Sequence, residues 1–160
     1  MKKVGDLNMA YVSYVFAFFL VLNLISFLVP RKLSKIEIYA TTFFAYSYGL
    51  TTDMVLDLHY NLYGYFSYGF QWLSLLGIIM YFPSISFLFL NFFPMEKRMR
   101  SKIAYILVWT VFSTGVEWLI VQTDFFYYNG WKLWYSALLY PLIFMVLIGN
   151  LKLVRKHMEP

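Results

Sequence analysis

The sequence has no cysteine, which excludes disulfides, thiolate nucleophiles and Cys-ligated metals or clusters. It has little charge. Asp, Glu, Lys and Arg make up 13% of its 160 residues, against 61% hydrophobic, whereas soluble domains run near a quarter charged and half apolar. A soluble chain this short leaves much of its surface exposed and could not hide so much apolar area. Lipid is the solvent that removes the conflict. Phosphate-binding Gly-rich loops, G-x-S-x-G and H-E-x-x-H are all missing, and with them the motif-borne chemistries of nucleotide binding, serine hydrolysis and zinc proteolysis. Histidine occurs only at positions 59 and 157, toward opposite membrane faces, so paired axial ligation of a membrane haem is excluded. No metal site and no cofactor is expected.

What the chain has is apolar runs and rings. Five segments approach the roughly 20 residues a spanning helix needs: 9–29, ended by Pro30; 36–58; 70–93, ended by Pro94; 103–121; and 131–151. Lys2 and Lys3 precede the first as they would a signal peptide. Its apolar run is longer than a signal h-region and no A-x-A-like site follows, so it is read as a retained helix. Connections are short, which makes neighbouring helices adjacent and antiparallel. Pro83 and Pro141 fall inside the third and fifth segments, where membrane helices tolerate the missing hydrogen bond. The expected fold is an all-α membrane protein, a single transmembrane domain over 1–160 built as a compact bundle of five transmembrane helices. Many of the 15 Tyr and 5 Trp lie near helix ends, where rings can lie among headgroups.

The net charge of +5 does not point to nucleic acid, because the basic residues sit in short clusters at the ends of apolar runs. Arg31, Lys32 and Lys35 follow the first helix; Lys97, Arg98, Arg100 and Lys102 follow the third; Lys152, Arg155 and Lys156 follow the fifth. Only Lys2, Lys3 and Lys132 fall on the other side. The rich side is cytoplasmic, so the N-terminus is outside and the C-terminus inside.

Carboxylates are costly in hydrocarbon and mark functional or structural sites. Asp53 and Asp57 share a face of helix two, in a stripe with Thr42, Tyr46, Gly49 and Tyr60 at steps of three and four. Helix four carries Thr110, Ser113, Thr114 and Glu117, with Asp124 beyond the membrane edge. At about 1.5 Å per residue, Asp53 lies about 26 Å and Glu117 about 21 Å from the cytoplasmic edge, both in the outer half of a core about 30 Å thick. Helix three enters at that depth with Gln71 and Ser74, and helix five with Trp134, Tyr135 and Ser136. These residues are the candidate ligand-binding set, an acidic pocket in the outer leaflet with Asp53 and Glu117 on one cavity. His59, about 200° around the helix from Asp57, is expected to miss the acid stripe.

The same residues suggest an internal repeat. Asp53, then Tyr60, Tyr63, Tyr65 and Tyr68, then Trp72-Leu73-Ser74 parallels Glu117, then Tyr127-Tyr128, then Trp134-Tyr135-Ser136. Each unit has an acid late in one helix, an aromatic outer loop and W-x-S opening the next. Helices 2–3 and 4–5 would form a parallel repeat, an arrangement some transporters use.

The run Glu117-Trp118-Leu119 through Tyr127 to Gly130-Trp131-Lys132-Leu133-Trp134-Tyr135-Ser136 resembles the last third of a family of small, uncharacterised multi-helix membrane proteins of Bacillus-like and clostridial spore-forming bacteria. The resemblance implies a multi-pass protein of a bacterial cytoplasmic membrane and carries no reaction. A fainter likeness, through intramembrane carboxylates, is to heterodimeric carotenoid cyclase subunits, but their P-x-E-E motif is absent. Asp53-x-x-x-Asp57 also lacks the glycine, arginine and second acid pair of CDP-alcohol phosphotransferases.

The expected function is non-enzymatic binding of a lipid, amphiphile, cation or membrane partner at the acidic pocket. Alternatives are a lipid- or isoprenoid-modifying enzyme using Glu117 or Asp53 as general acid, and a proton-coupled oligomeric transporter. Expected partners are membrane lipids, with a second copy or another membrane protein left open, and no nucleic acid.

Overall fold

In the computed structural model the described residues are 9–66 and 71–158. Lys2, Lys3, Tyr68 and the expected start of the third segment at Phe70 lie outside them. The elements run α1 (Met9–Leu28), α2 (Lys35–Asp53), a π-helical turn (Met54–His59), β1 (Tyr63–Tyr65), α3 (Trp72–Asn91), α4 (Met99–Val121), β2 (Phe126–Tyr128) and α5 (Leu133–Met158). The protein is overwhelmingly helical, and α1, α3, α4 and α5 are each long and apolar enough to cross a membrane. That is the make-up of a multi-pass membrane protein.

Two bounds move most relative to the apolar runs. Helix α4 begins at Met99, so Arg100 and Lys102 belong to its first turns. Helix α5 continues to Met158. Nothing between 151 and 158 breaks a helix, and Arg155, Lys156 and His157 in the last turn suit the negative end of the helix dipole.

Helix α3 is the centre of the bundle, packed against α1 and α2, while α5 packs against α4 and α2. Every residue of α3 from Ser84 to Asn91 is buried. One core, toward the end with the α1–α2 and α3–α4 turns, gathers Phe89, Phe144, Leu147 and Leu151; a second, at the other end, gathers Val12, Val15, Phe19, Phe66 and Phe125. Outward faces are apolar and bare: Phe27 is 72% and Val111 73% exposed, a surface for lipid rather than water.

Helix α2 is the polar one. Its buried residues are Glu37, Thr41, Ala45 and Asp53, with Asp57 buried in the π-helical turn; Gly49 completes an every-fourth-residue line. The expected stripe through Thr42 and Tyr46 is thus shifted by one residue at the inner end, and Tyr60 is exposed. Steps of four advance the line by about 40° per turn on a 3.6-residue helix. It therefore winds from α5, where Glu37 pairs with Arg155, toward α3, where a Cβ on Gly49 would meet the Phe82 ring at 2.5 Å. Threonine hydroxyls on this helix are satisfied internally: Thr41 donates to the Glu37 carbonyl at 2.6 Å and Thr42 to the Ile38 carbonyl at 2.6 Å, the back-bonding that lets Thr sit in apolar surroundings.

Side chains pin the connection between α1 and α2. Ser34 and Glu37 form a capping box that starts α2. Asn91, at the end of α3, donates to the Pro30 carbonyl at 2.9 Å and accepts from the Lys32 amide at 2.8 Å, which locks the α1–α2 turn onto α3. In α3, Pro83 leaves its turn short of a donor, and the Ser86 hydroxyl donates to the Pro83 carbonyl at 3.0 Å.

At the opposite end the two long connections pair with each other. Strands β1 and β2 form an antiparallel ribbon with Tyr63 opposite Tyr128, Gly64 opposite Tyr127 and Tyr65 opposite Phe126. An all-α reading of the apolar runs contains no such ribbon. The Leu62 carbonyl ties it further, accepting from the amides of Asn129 at 2.8 Å and Trp131 at 2.9 Å, a turn made around Gly130 at φ +111°, where a Cβ would be strained.

Candidate functional site

The ribbon roofs a partly open cavity of about 210 Å³ lined by residues of α2, α3, α4 and α5. The wall is mainly rings and aliphatic chains, among them Phe82, Phe125, Trp131 and Phe144. Phe125 anchors the roof, standing edge-on to Phe66 at 5.0 Å, Tyr65 at 5.6 Å and Phe19 at 5.6 Å between ring centroids. Phe66 takes a left-handed backbone, φ +56°, a conformation costly for an aromatic residue. Its amide is bonded to the Phe125 carbonyl at 3.0 Å, and its ring is buried in the outer core.

Two acids from different helices stand in this wall, Asp53 from α2 and Glu117 from α4. Each is held by hydroxyls that follow it in the chain. Tyr63 donates to one Asp53 oxygen at 2.7 Å and Tyr65 to the other at 2.9 Å. Glu117 receives three hydroxyls: Tyr128 and, at 2.6 Å, Ser136 on Oε1, and Tyr140 on Oε2. The indole of Trp131 donates to the Ser136 oxygen at 2.8 Å, fixing that hydroxyl's proton toward Glu117. Burial first, and then the neighbouring carboxylates, push the phenols of the ribbon residues Tyr63, Tyr65 and Tyr128 above their ordinary range. They remain protonated and act as donors. Among the described residues neither acid has a Lys, Arg or His partner; the ion pair Arg155–Glu37 lies at the inner end.

Of the residues expected from the sequence, Asp53, Glu117 and Ser136 line the one cavity. Asp57, Gln71, Ser74, Trp134 and Tyr135 do not belong to its wall. Asp57 is buried within the π-helical turn. Gln71 occupies the position before α3, and its carbonyl takes the Ser74 hydroxyl at 2.6 Å. Trp134 is 55% exposed and its ring lies 4.0 Å from that of Tyr135. The reason is helical phase: Ser136, Tyr140, Phe144 and Leu147 share the inward face of α5 at steps of four and three, and residues 134 and 135 precede Ser136 by about 200° and 100°. His59 is exposed, as its phase required.

The ring and hydroxyl partners are the part that sequence spacing left unassigned. Tyr63, Tyr65 and Tyr128 read as interfacial aromatics, and their role depends on the ribbon. Tyr140 was accessible in principle, since it follows Ser136 by four. Ser113, on the stripe of α4, also lines the cavity; it is 1% exposed, and its hydroxyl has no hydrogen-bond partner among the described residues. No three His, Asp or Glu side chains gather to hold a metal among the described residues. No protein-family model, curated protein or solved structure matches the chain.

Proposed function

We propose that this is a five-span membrane protein that binds a small amphiphile in the cavity beneath its outer ribbon, with Asp53 and Glu117 receiving the polar end. The N-terminus lies outside and the C-terminus in the cytoplasm, on the strength of the basic clusters that flank the inner helix ends. Helix α2 is the fifth span. Its 19 residues and the π-helical turn are long enough for the crossing, and packing between α3 and α5 turns its polar line away from lipid. The resemblance of residues 117–136 to a bacterial membrane family supports a bacterial cytoplasmic membrane as the location.

The observation that carries the binding function is the pairing of two acids from separate helices with an otherwise apolar cavity. Helix adhesion alone would be served by closing that space, because interiors pack to the density of organic crystals. Native mass spectrometry of gently extracted protein tests the proposal. A small adduct should be retained by the unaltered chain and lost in Asp53→Asn and Glu117→Gln proteins that keep their helical circular dichroism. Equal retention by all three, or no adduct in any, would remove the binding role and leave the acids as bundle glue.

A further inference from the structure

We infer that the ligand's polar end is a primary ammonium group on a small hydrophobic body, an inference that rests on the binding function proposed above. Hydrogen-bond capacity selects the head group. An ionised carboxylate offers about four acceptor positions and donates nothing. Asp53 has two filled, by Tyr63 and Tyr65. Glu117 has three filled, by Tyr128, Ser136 and Tyr140. About three acceptor positions stay open across the pair, and a primary ammonium brings three donors and no acceptor.

Ser113 is the independent observation. Its hydroxyl is buried in the cavity wall with no partner, one helical turn from Glu117 on the same face of α4. A buried polar group left unmade is costly, and a turn of the Ser113 side chain toward the cavity would let it take one of the ligand's three N–H groups, leaving two for the acids. The wall suits the charge as well. Trp131, Tyr63 and Tyr140 present rings, and ring faces attract a desolvated cation. Two acids and no basic partner disfavour a carboxylate or phosphate head.

Size limits how much of the body the cavity covers. A cavity near 150 Å³ takes benzene, so about 210 Å³ accommodates one ring with a short arm. The deeper wall of Ile85, Phe144 and Leu147 gives that ring an apolar bed. A free aryl- or alkylamine fits this volume. An ethanolamine phospholipid has the same ammonium but carries a phosphodiester next to it, toward the two acids.

The test uses the full chain in phosphatidylcholine nanodiscs and three probes of one shape: 2-phenylethylamine, 2-phenylethanol and 3-phenylpropionate. Binding is read from Trp fluorescence, with Trp131 in the wall. The amine should bind at least about tenfold tighter than the alcohol, as hydrogen bonds to a charged group require, and the carboxylate should not bind. Ser113→Ala should weaken the amine by about threefold or more and leave the alcohol-to-amine order intact; because that hydroxyl has no internal partner, the variant keeps its fold. Alcohol binding as tight as the amine overturns the ammonium assignment and leaves the amphiphile cavity standing. Failure of all three probes overturns the cavity function itself. N,N,N-trimethyl-2-phenylethylammonium binding as tightly as the amine would overturn the hydrogen-bonded head in favour of ring contacts alone. Ethanolamine lipid added to the nanodiscs separates the two sources of the group: competition with the amine assigns the head to a lipid, and no competition assigns it to a free amine.

Discussion

Glu117 has its charge spread over three hydroxyl donors and no cation, and this sets what substitutions there should do. Tyr140→Phe removes one charge-assisted bond to a carboxylate that stays in place, so stability should fall by about 1.5–3 kcal/mol. Unfolding in mixed micelles would measure it, and a change under about 0.5 kcal/mol would mean that Glu117 does not depend on that donor. Glycines give a second contrast. At Gly49 a Cβ would stand 2.5 Å from the Phe82 ring, whereas at Gly115 nothing lies within 4 Å. Gly49→Ala should cost about 1–3 kcal/mol by forcing α2 and α3 apart. Gly115→Ala should be neutral or stabilising by up to about 1 kcal/mol, through helix propensity. The same unfolding assay on both variants checks the pair, and equal effects would contradict the close α2–α3 approach.

Helix α2 shows how far a linear reading carries. Asp53 and Glu117 were legible as site residues because an acid inside an apolar run is expensive to bury and has to be offset by polar neighbours. Ser136 was legible through its depth. The inner half of the α2 line was not, because stepping by threes and fours from Asp53 permits Thr42 and Tyr46 as readily as Thr41 and Ala45; the choice depends on which neighbours α2 touches. The ribbon was illegible for a different reason. Three-residue strands rich in Tyr look like membrane-interface aromatics, and pairing between residues 63 and 128 is a long-range contact with no local signature. At the inner end of α2, Arg155 of α5 bonds Glu37 within the capping box, although its side chain is 39% exposed. Arg155→Ala should therefore lower stability by only about 1 kcal/mol, after allowance for solvent screening. The loss should shrink in high salt, and a salt-independent loss would point to packing by the arginine stem instead.

Across the whole molecule the deciding property is sidedness, and the absence of cysteine makes it directly measurable. Lys132→Cys, just before α5, should react in intact cells with a membrane-impermeant maleimide. Lys97→Cys, between α3 and α4, should react only after lysis. The opposite pattern would invert the orientation and place the acids near the cytoplasmic face.

The order in which the hydroxyls follow the acids also bears on biosynthesis. Asp53 finds its donors 10 and 12 residues downstream, and Glu117 finds its own 11, 19 and 23 residues downstream. Each acid thus enters the bilayer ahead of its own partners and within its own helical hairpin. Asp53 has Tyr63 and Tyr65 close by in the chain before α4 has been made, and the pairing of β1 with β2 then sets both hydroxyls on it. The ribbon joins the two halves last, and outside the long apolar helices unpaired strand backbone can still be hydrated until its partner arrives.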